Sequence, residues 1–246
     1  MRKRHVQLEL PDRRLDKNGQ YRGGRRPGAG RPKIKGRRAS EWHKTRPELT
    51  GREPLLVTVR VDKEVGNLRR RGIYHALRYA LVAVMLAELE DFRVVHFSIQ
   101  RTHLHMIVEA RSKAAMTRGM RGLLISAARH INVQVRRKGR VVSDRYHASV
   151  LRTPRQVRNA INYVLNNWRR HQEHRAPAAQ GWLLDPFSSA ANFGGWKELE
   201  GKPFLFPVRD TYQRLITCFP RTWLLRIGWE RWGRIGAREV PGPAPA

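Results

Sequence analysis

The apolar positions of this chain change period several times, and each change marks an element. From Pro54 the run Leu55-Leu56-Val57-Thr58-Val59-Arg60-Val61 is rich in β-branched residues and apolar enough to lie centrally in a sheet. A helical period follows: Ile73, Leu77, Ala80, Leu81 and Val84 share one face, which predicts a helix capped by Asn67 and running to about Glu90. Arg93 to Gln100 (Val94-Val95-His96-Phe97-Ser98-Ile99) predicts a second strand. The short Gln100-Arg101-Thr102 connection then turns the chain back into a third strand through Ala110, as an antiparallel hairpin. Met116, Met120, Leu123, Leu124, Ala127, Ile131 and Val135 trace the stripe of a second helix over about Ala114 to Arg137, with the methionines as core filler. Val141 to Leu151 predicts a fourth strand. Thr153-Pro154 supplies a cap and an N-terminal proline for a third helix to about His171, whose stripe is Val157, Ala160, Ile161, Val164, Leu165 and Trp168.

The order is strand, helix, two strands, helix, strand, helix. Its first six members predict an α+β fold with a ferredoxin-like split βαβ core: an antiparallel four-stranded sheet with helices on one face. The third helix is an addition at the C-terminal end of that core. Three segments are expected: an arm over 1–53, a domain over 54–174 and an aromatic-rich extension over 175–246.

Charge changes the picture. The chain carries 50 Lys and Arg against 20 Asp and Glu, a formal net charge of +30, with 40% hydrophobic residues. Such an excess opposes compaction unless a polyanion is the partner, and nucleic acid is the leading candidate. The basic residues are spread along the chain rather than gathered on one amphipathic helix, and the longest apolar run, Ala80 to Ala87, is too short to span a bilayer, so no membrane partner is expected. Cys218 stands alone, which excludes an intramolecular disulfide and a cysteine zinc site. Met-Arg-Lys-Arg-His-Val lacks the apolar region of a signal peptide, so the expected compartment is cytoplasmic and, with a DNA partner, nucleoid-associated. The arm holds 17 basic and 6 acidic residues, a net +11, with few large apolar side chains, the composition of a disordered segment. Within it, Arg25-Arg26-Pro27-Gly28-Ala29-Gly30-Arg31-Pro32-Lys33 resembles an AT-hook, which would place Arg31 in the narrow minor groove of A·T-rich duplex DNA. A generic phosphate-contacting tail is the alternative.

Candidate chemistry sits on the third strand and third helix. His103 and His105 are two apart, so on a strand both imidazoles point one way while Leu104 points to the core. Two neutral imidazoles side by side make half of a divalent metal site, or simply a pair of surface histidines. At ~100° per residue Tyr163 falls off the apolar stripe of its helix, and Asn167 is its neighbour one turn later. Arg118, Arg121, Arg129 and Arg136 share a stripe of the second helix that suits a phosphate backbone, although a solvated face is the ordinary reading.

These residues carry a family resemblance. His103-Leu104-His105 resembles the His–apolar–His motif of single-tyrosine HUH transposases, and Tyr163-Val164-Leu165-Asn166-Asn167 resembles the Tyr-Ile-His-x-Asn segment of their REP-associated branch. Asp144-Arg145-Tyr146-His147 and the element order also fit, over about Pro54 to His174. The resemblance implies that His103, His105 and Asn167 hold Mg²⁺ or Mn²⁺ and that Tyr163 is the nucleophile. It further implies nicking and rejoining of single-stranded DNA hairpins through a 5′-phosphotyrosine, by a monomer or a homodimer. Asn166-Asn167-Trp168 departs from the Asn-Pro common in that branch, and the arm and extension exceed the minimal domain. Two other readings stay open. One is a nucleic-acid binder that no longer cuts; an RRM is disfavoured because its third strand would carry stacking aromatics, absent from His105 to Ala110. The other is a phosphodiesterase activating water, with Glu109, on the face of the His pair by strand parity, as base. The eleven aromatics from Trp182 to Trp232 either extend the core or form a stacking platform, interleaved with Arg226, Arg231 and Arg234, for unpaired bases.

Overall fold

A computed structural model describes residues 48–88, 90–202, 206 and 212–242. Most of the arm, including Arg31 and the AT-hook-like segment, lies outside the described residues, as does Phe204 of the extension. The elements run β1 (Leu55–Arg60), α1 (Arg71–Glu88), β2 (Phe92–Ile99), β3 (His103–Ala110), α2 (Lys113–Gln134), β4 (His147–Val150), α3 (Pro154–Arg170) and a short α4 (Trp223–Arg226).

The strands form one antiparallel sheet in the order β2-β3-β1-β4, with β1 central as its apolar run requires. This is an α+β fold with the split βαβ arrangement. Register assigns the two faces. Val57 pairs with Met106 and Val59 with Leu104; these side chains join the core beneath α1 and α2. Leu56 pairs with Ile107 on the opposite face, which α3 covers with Val157, Ala160, Ile161, Val164 and Leu165. Both faces of the sheet are therefore buried, each by a different helical layer.

Four boundaries differ from expectation. Asn67 accepts the Arg69 amide in a local turn, and α1 begins only at Arg71. The helix starts later because the Asn side chain is spent on that turn, a common alternative for Asn. β4 is four residues long; before it, Val142 makes one isolated bridge to Val61. α2 ends at Gln134, so Arg136, at φ 52, sits beyond the helix in a left-handed conformation. Pro220 to Trp232 is not one helix, because α4 spans only Trp223–Arg226 and a 3-10 turn follows over Gly228–Trp232.

The extension is woven into the core. Residues 187–189 and 218 run along β2, the edge strand: the Ile99 amide donates to Phe187 O, the Phe97 amide to Ser189 Oγ, and the Cys218 amide to Val94 O. Covering an edge strand satisfies backbone groups that would otherwise template aggregation. Trp196 and Trp229 are buried with the α3 layer. Asp185, fully buried, accepts both terminal nitrogens of Arg69 at 2.8 and 3.0 Å and so ties the extension to the start of α1. Among the described residues, no helix is long and apolar enough to cross a membrane.

Candidate active site

β3 brings His103 and His105 to the α3 side of the sheet, on the same face as Ile107. Their Nε2 atoms lie 2.9 Å apart, with the ring planes at 78°. Each Nδ1 has a hydroxyl neighbour: Thr58 Oγ1 at 3.1 Å from His105, from the paired position on β1, and Thr102 Oγ1 at 3.2 Å from His103. Hydroxyl oxygens there can accept from Nδ1–H, which would leave both Nε2 lone pairs for a cation. Burial, then the neighbouring His171 and Arg60, lowers the His103 pKa to about 4; burial, then His103 and His171, lowers that of His105 to about 3. Both rings are thus neutral at pH 7, the form that ligates metal.

α3 supplies the facing groups, and its placement follows from its sequence. Thr153 and Gln156 complete a capping box, with Pro154 in the first turn. The apolar stripe fixes the roll of the helix about its axis. The outer side is clamped by the end of the extension. Glu239 accepts from Arg158 Nη1 at 2.7 Å and from Asn162 Nδ2 at 2.8 Å, Asn166 donates to Gly236 O, and Arg169 donates to Ala237 O. With both sides held, Tyr163 is directed at the His pair. Its ring lies 4.8 Å from that of His105, and its hydroxyl is 3.3 Å from His105 Nε2. Burial raises the Tyr163 pKa above its ordinary 10, and Arg170 partly offsets this.

Asn167, one turn on, is fully buried, and neither atom of its amide has a hydrogen-bond partner. A buried, unsatisfied amide costs on the order of 1–3 kcal/mol, so its retention asks for a use. A further turn brings His171, whose ring is 6.4 Å from that of His103. Asn167 thus lies between Tyr163 and the C-cap His171 along the chain, one helical turn from each. His171 lies outside the motif residues, and its helical spacing from Tyr163 is the one sequence signal that marks it. Among the described residues, no group of three or more His, Cys, Asp or Glu side chains assembles a metal site. The two neutral imidazoles, and the unpaired Asn167 amide one turn from Tyr163, are groups that could hold a cation leaving positions for other oxygens, as Mg²⁺ and Mn²⁺ do.

Other sequence candidates fall elsewhere. Glu109 does share the face of the pair, but its carboxylate accepts the backbone amides of Arg221 and Thr222 at 2.8 to 3.0 Å, which anchors the start of α4. Arg118, Arg121 and Arg129 are exposed on α2, which covers the opposite face of the sheet, and Arg118 pairs with Asp91 at 3.0 Å. The arginine stripe and the His pair are thus separated by the sheet.

No protein-family model matches the chain, and no curated protein matches it in sequence. Among solved structures, one of a REP-associated tyrosine transposase bound to a REP hairpin superposes with a TM-score of 0.50 at 16% identity, covering 72% of this chain and all of that one. The chain shares the fold of that transposase.

Proposed function

We propose that this protein is a metal-dependent transposase of the HUH-tyrosine kind, which nicks and rejoins single-stranded DNA hairpins through a 5′-phosphotyrosine. One observation carries the reading: the Tyr163 hydroxyl lies 3.3 Å from His105 Nε2, which is itself 2.9 Å from His103 Nε2. A tyrosine kept for packing would sit on the apolar stripe of its helix. Net charge +30 suits a polyanionic substrate, and the shared fold is consistent with the same chemistry.

In this reading His103, His105 and Asn167 hold Mg²⁺ or Mn²⁺. The bound cation would offset the charge that develops on the scissile phosphate. The clamped α3 holds the Tyr163 oxygen for in-line attack. The Tyr163 oxygen–phosphorus bond forms as the bond from phosphorus to O3′ breaks; the phenol gives up its proton, and the departing 3′ oxygen takes one up. The 5′ end stays esterified to Tyr163, and a 3′-hydroxyl can later reverse the step without ATP. Burial keeps the phenol protonated at neutral pH, so the rate should climb as pH rises from 7 toward 9. The water-activating alternative is disfavoured because both oxygens of Glu109 are committed to backbone amides.

The test is covalent trapping. With Mg²⁺ or Mn²⁺ and labelled single-stranded hairpins from the flanks of the gene, an adduct on a denaturing gel is expected, abolished by Tyr163→Phe and by chelator. Cleavage that survives Tyr163→Phe would overturn the tyrosine mechanism.

A further inference from the structure

The extension leaves a face that packing does not explain. Phe219 is 90% exposed, Trp223 47%, Ile227 56% and Trp232 54%, although Trp196 and Trp229 from the same extension are buried. Exposed aromatic side chains gathered within one short segment mark an interaction surface. Arginines accompany them. The Arg231 guanidinium lies 4.9 Å from the ring centre of Trp223, and that of Arg155, from the first turn of α3, lies 5.2 Å from Trp232. Residues 219–238 hold five arginines and one carboxylate, Glu230. Beside Phe219, Arg226 and Glu230 opens a cavity of about 480 Å³ that reaches His96. His96 is 8% exposed, and its Nδ1 has no hydrogen-bond partner.

We infer that this aromatic–arginine face, with the cavity beside it, binds unpaired bases of single-stranded DNA by stacking. Flat rings interleaved with guanidinium groups offer a base one surface and its phosphate another. The cavity is large enough for a base turned out of the strand. A protein partner would also accept tryptophan and arginine, but the excess of arginine over carboxylate, which persists with Arg221 paired to Glu90, favours a polyanion. The face includes the N-terminal turn of α3, two turns before Tyr163, so a strand held there leads toward the same helix that presents the nucleophile. The inference rests on the reading of the protein as acting on single-stranded DNA.

Binding is measured by fluorescence anisotropy with a mixed-sequence single-stranded oligonucleotide, in chelator and in the Tyr163→Phe background, so that site chemistry plays no part. The variant Phe219→Ala/Trp223→Ala/Trp232→Ala, all at exposed positions, should lose about tenfold or more in affinity with an unchanged slope against log salt, since stacking is lost and phosphate contacts are kept. The variant Trp223→Phe/Trp232→Phe should keep most of the affinity. Arg226→Gln/Arg231→Gln should instead lower the salt slope. An affinity within twofold of the parent for the alanine variant would overturn the inference. So would a parent that dimerises through this face, with a monomeric alanine variant that binds DNA as before. Adduct formation by the wild-type protein is scored separately: an adduct without stacking loss removes the platform alone, and stacking loss without an adduct removes the covalent mechanism alone.

Discussion

Replacing Glu109 by Gln separates two roles for that residue. In the structure the residue is 6% exposed, and its carboxylate accepts the amide of Arg221 at 3.0 and 2.9 Å and that of Thr222 at 2.8 Å. Hydrogen bonds to a charged acceptor contribute roughly 1.5–3 kcal/mol each. Gln keeps one acceptor oxygen but loses the charge, and its NH₂ group faces a backbone donor. We expect a loss of about 2–3 kcal/mol, which for a chain of this size lowers Tm by roughly 4–12 °C. Differential scanning calorimetry of both proteins measures it. Glu109→Gln should still form the covalent adduct at temperatures well below its Tm, because Tyr163 and the His pair are untouched. A variant with unchanged Tm that no longer cleaves would refute the reasoning, since Glu109 would then be acting as a base.

Asn167→Leu removes two buried, unpaired amide atoms; metal-free stability should rise by roughly 1–3 kcal/mol in urea unfolding, while the Tm increase on adding Mn²⁺ shrinks. A drop in metal-free stability would show that the amide has a protein partner. Burial lowers the His96 pKa to about 4 against 6.5 when unfolded, so between those values the unfolded chain binds the extra proton and stability falls as pH falls. That group should cost about 3 kcal/mol between pH 7 and pH 4, a loss visible in urea melts and absent from the share contributed by this position in His96→Phe. Gly119→Ala would place a Cβ 2.1 to 2.7 Å from Phe92 ring and side-chain atoms, and should destabilise by about 1–3 kcal/mol despite the better helix former, read by thermal unfolding.

The sequence by itself determined the element order, the central place of β1, and the two faces of α3. These follow from the period of apolar positions, which local geometry converts directly into buried stripes. It also singled out His103 and His105 by strand parity, and Tyr163 as a residue off its helix stripe with Asn167 one turn on, while their joint roles came from the family resemblance. Boundaries were less legible: Asn67 could cap a helix or close a turn, and only the packed chain chose the turn. What tertiary structure alone decided was which groups meet. Strand parity put Glu109 beside the His pair, yet backbone amides 112 and 113 residues away took its carboxylate. His171 comes within reach of His103 at the end of α3, a helix that the extension clamps from behind through Glu239, Gly236 and Ala237. The same long-range packing divided the aromatics of the extension, burying Trp196 and Trp229 and leaving Phe219, Trp223 and Trp232 in water. Composition could not make that division, because burial is set by what arrives from elsewhere in the chain, and periodicity carries no record of it.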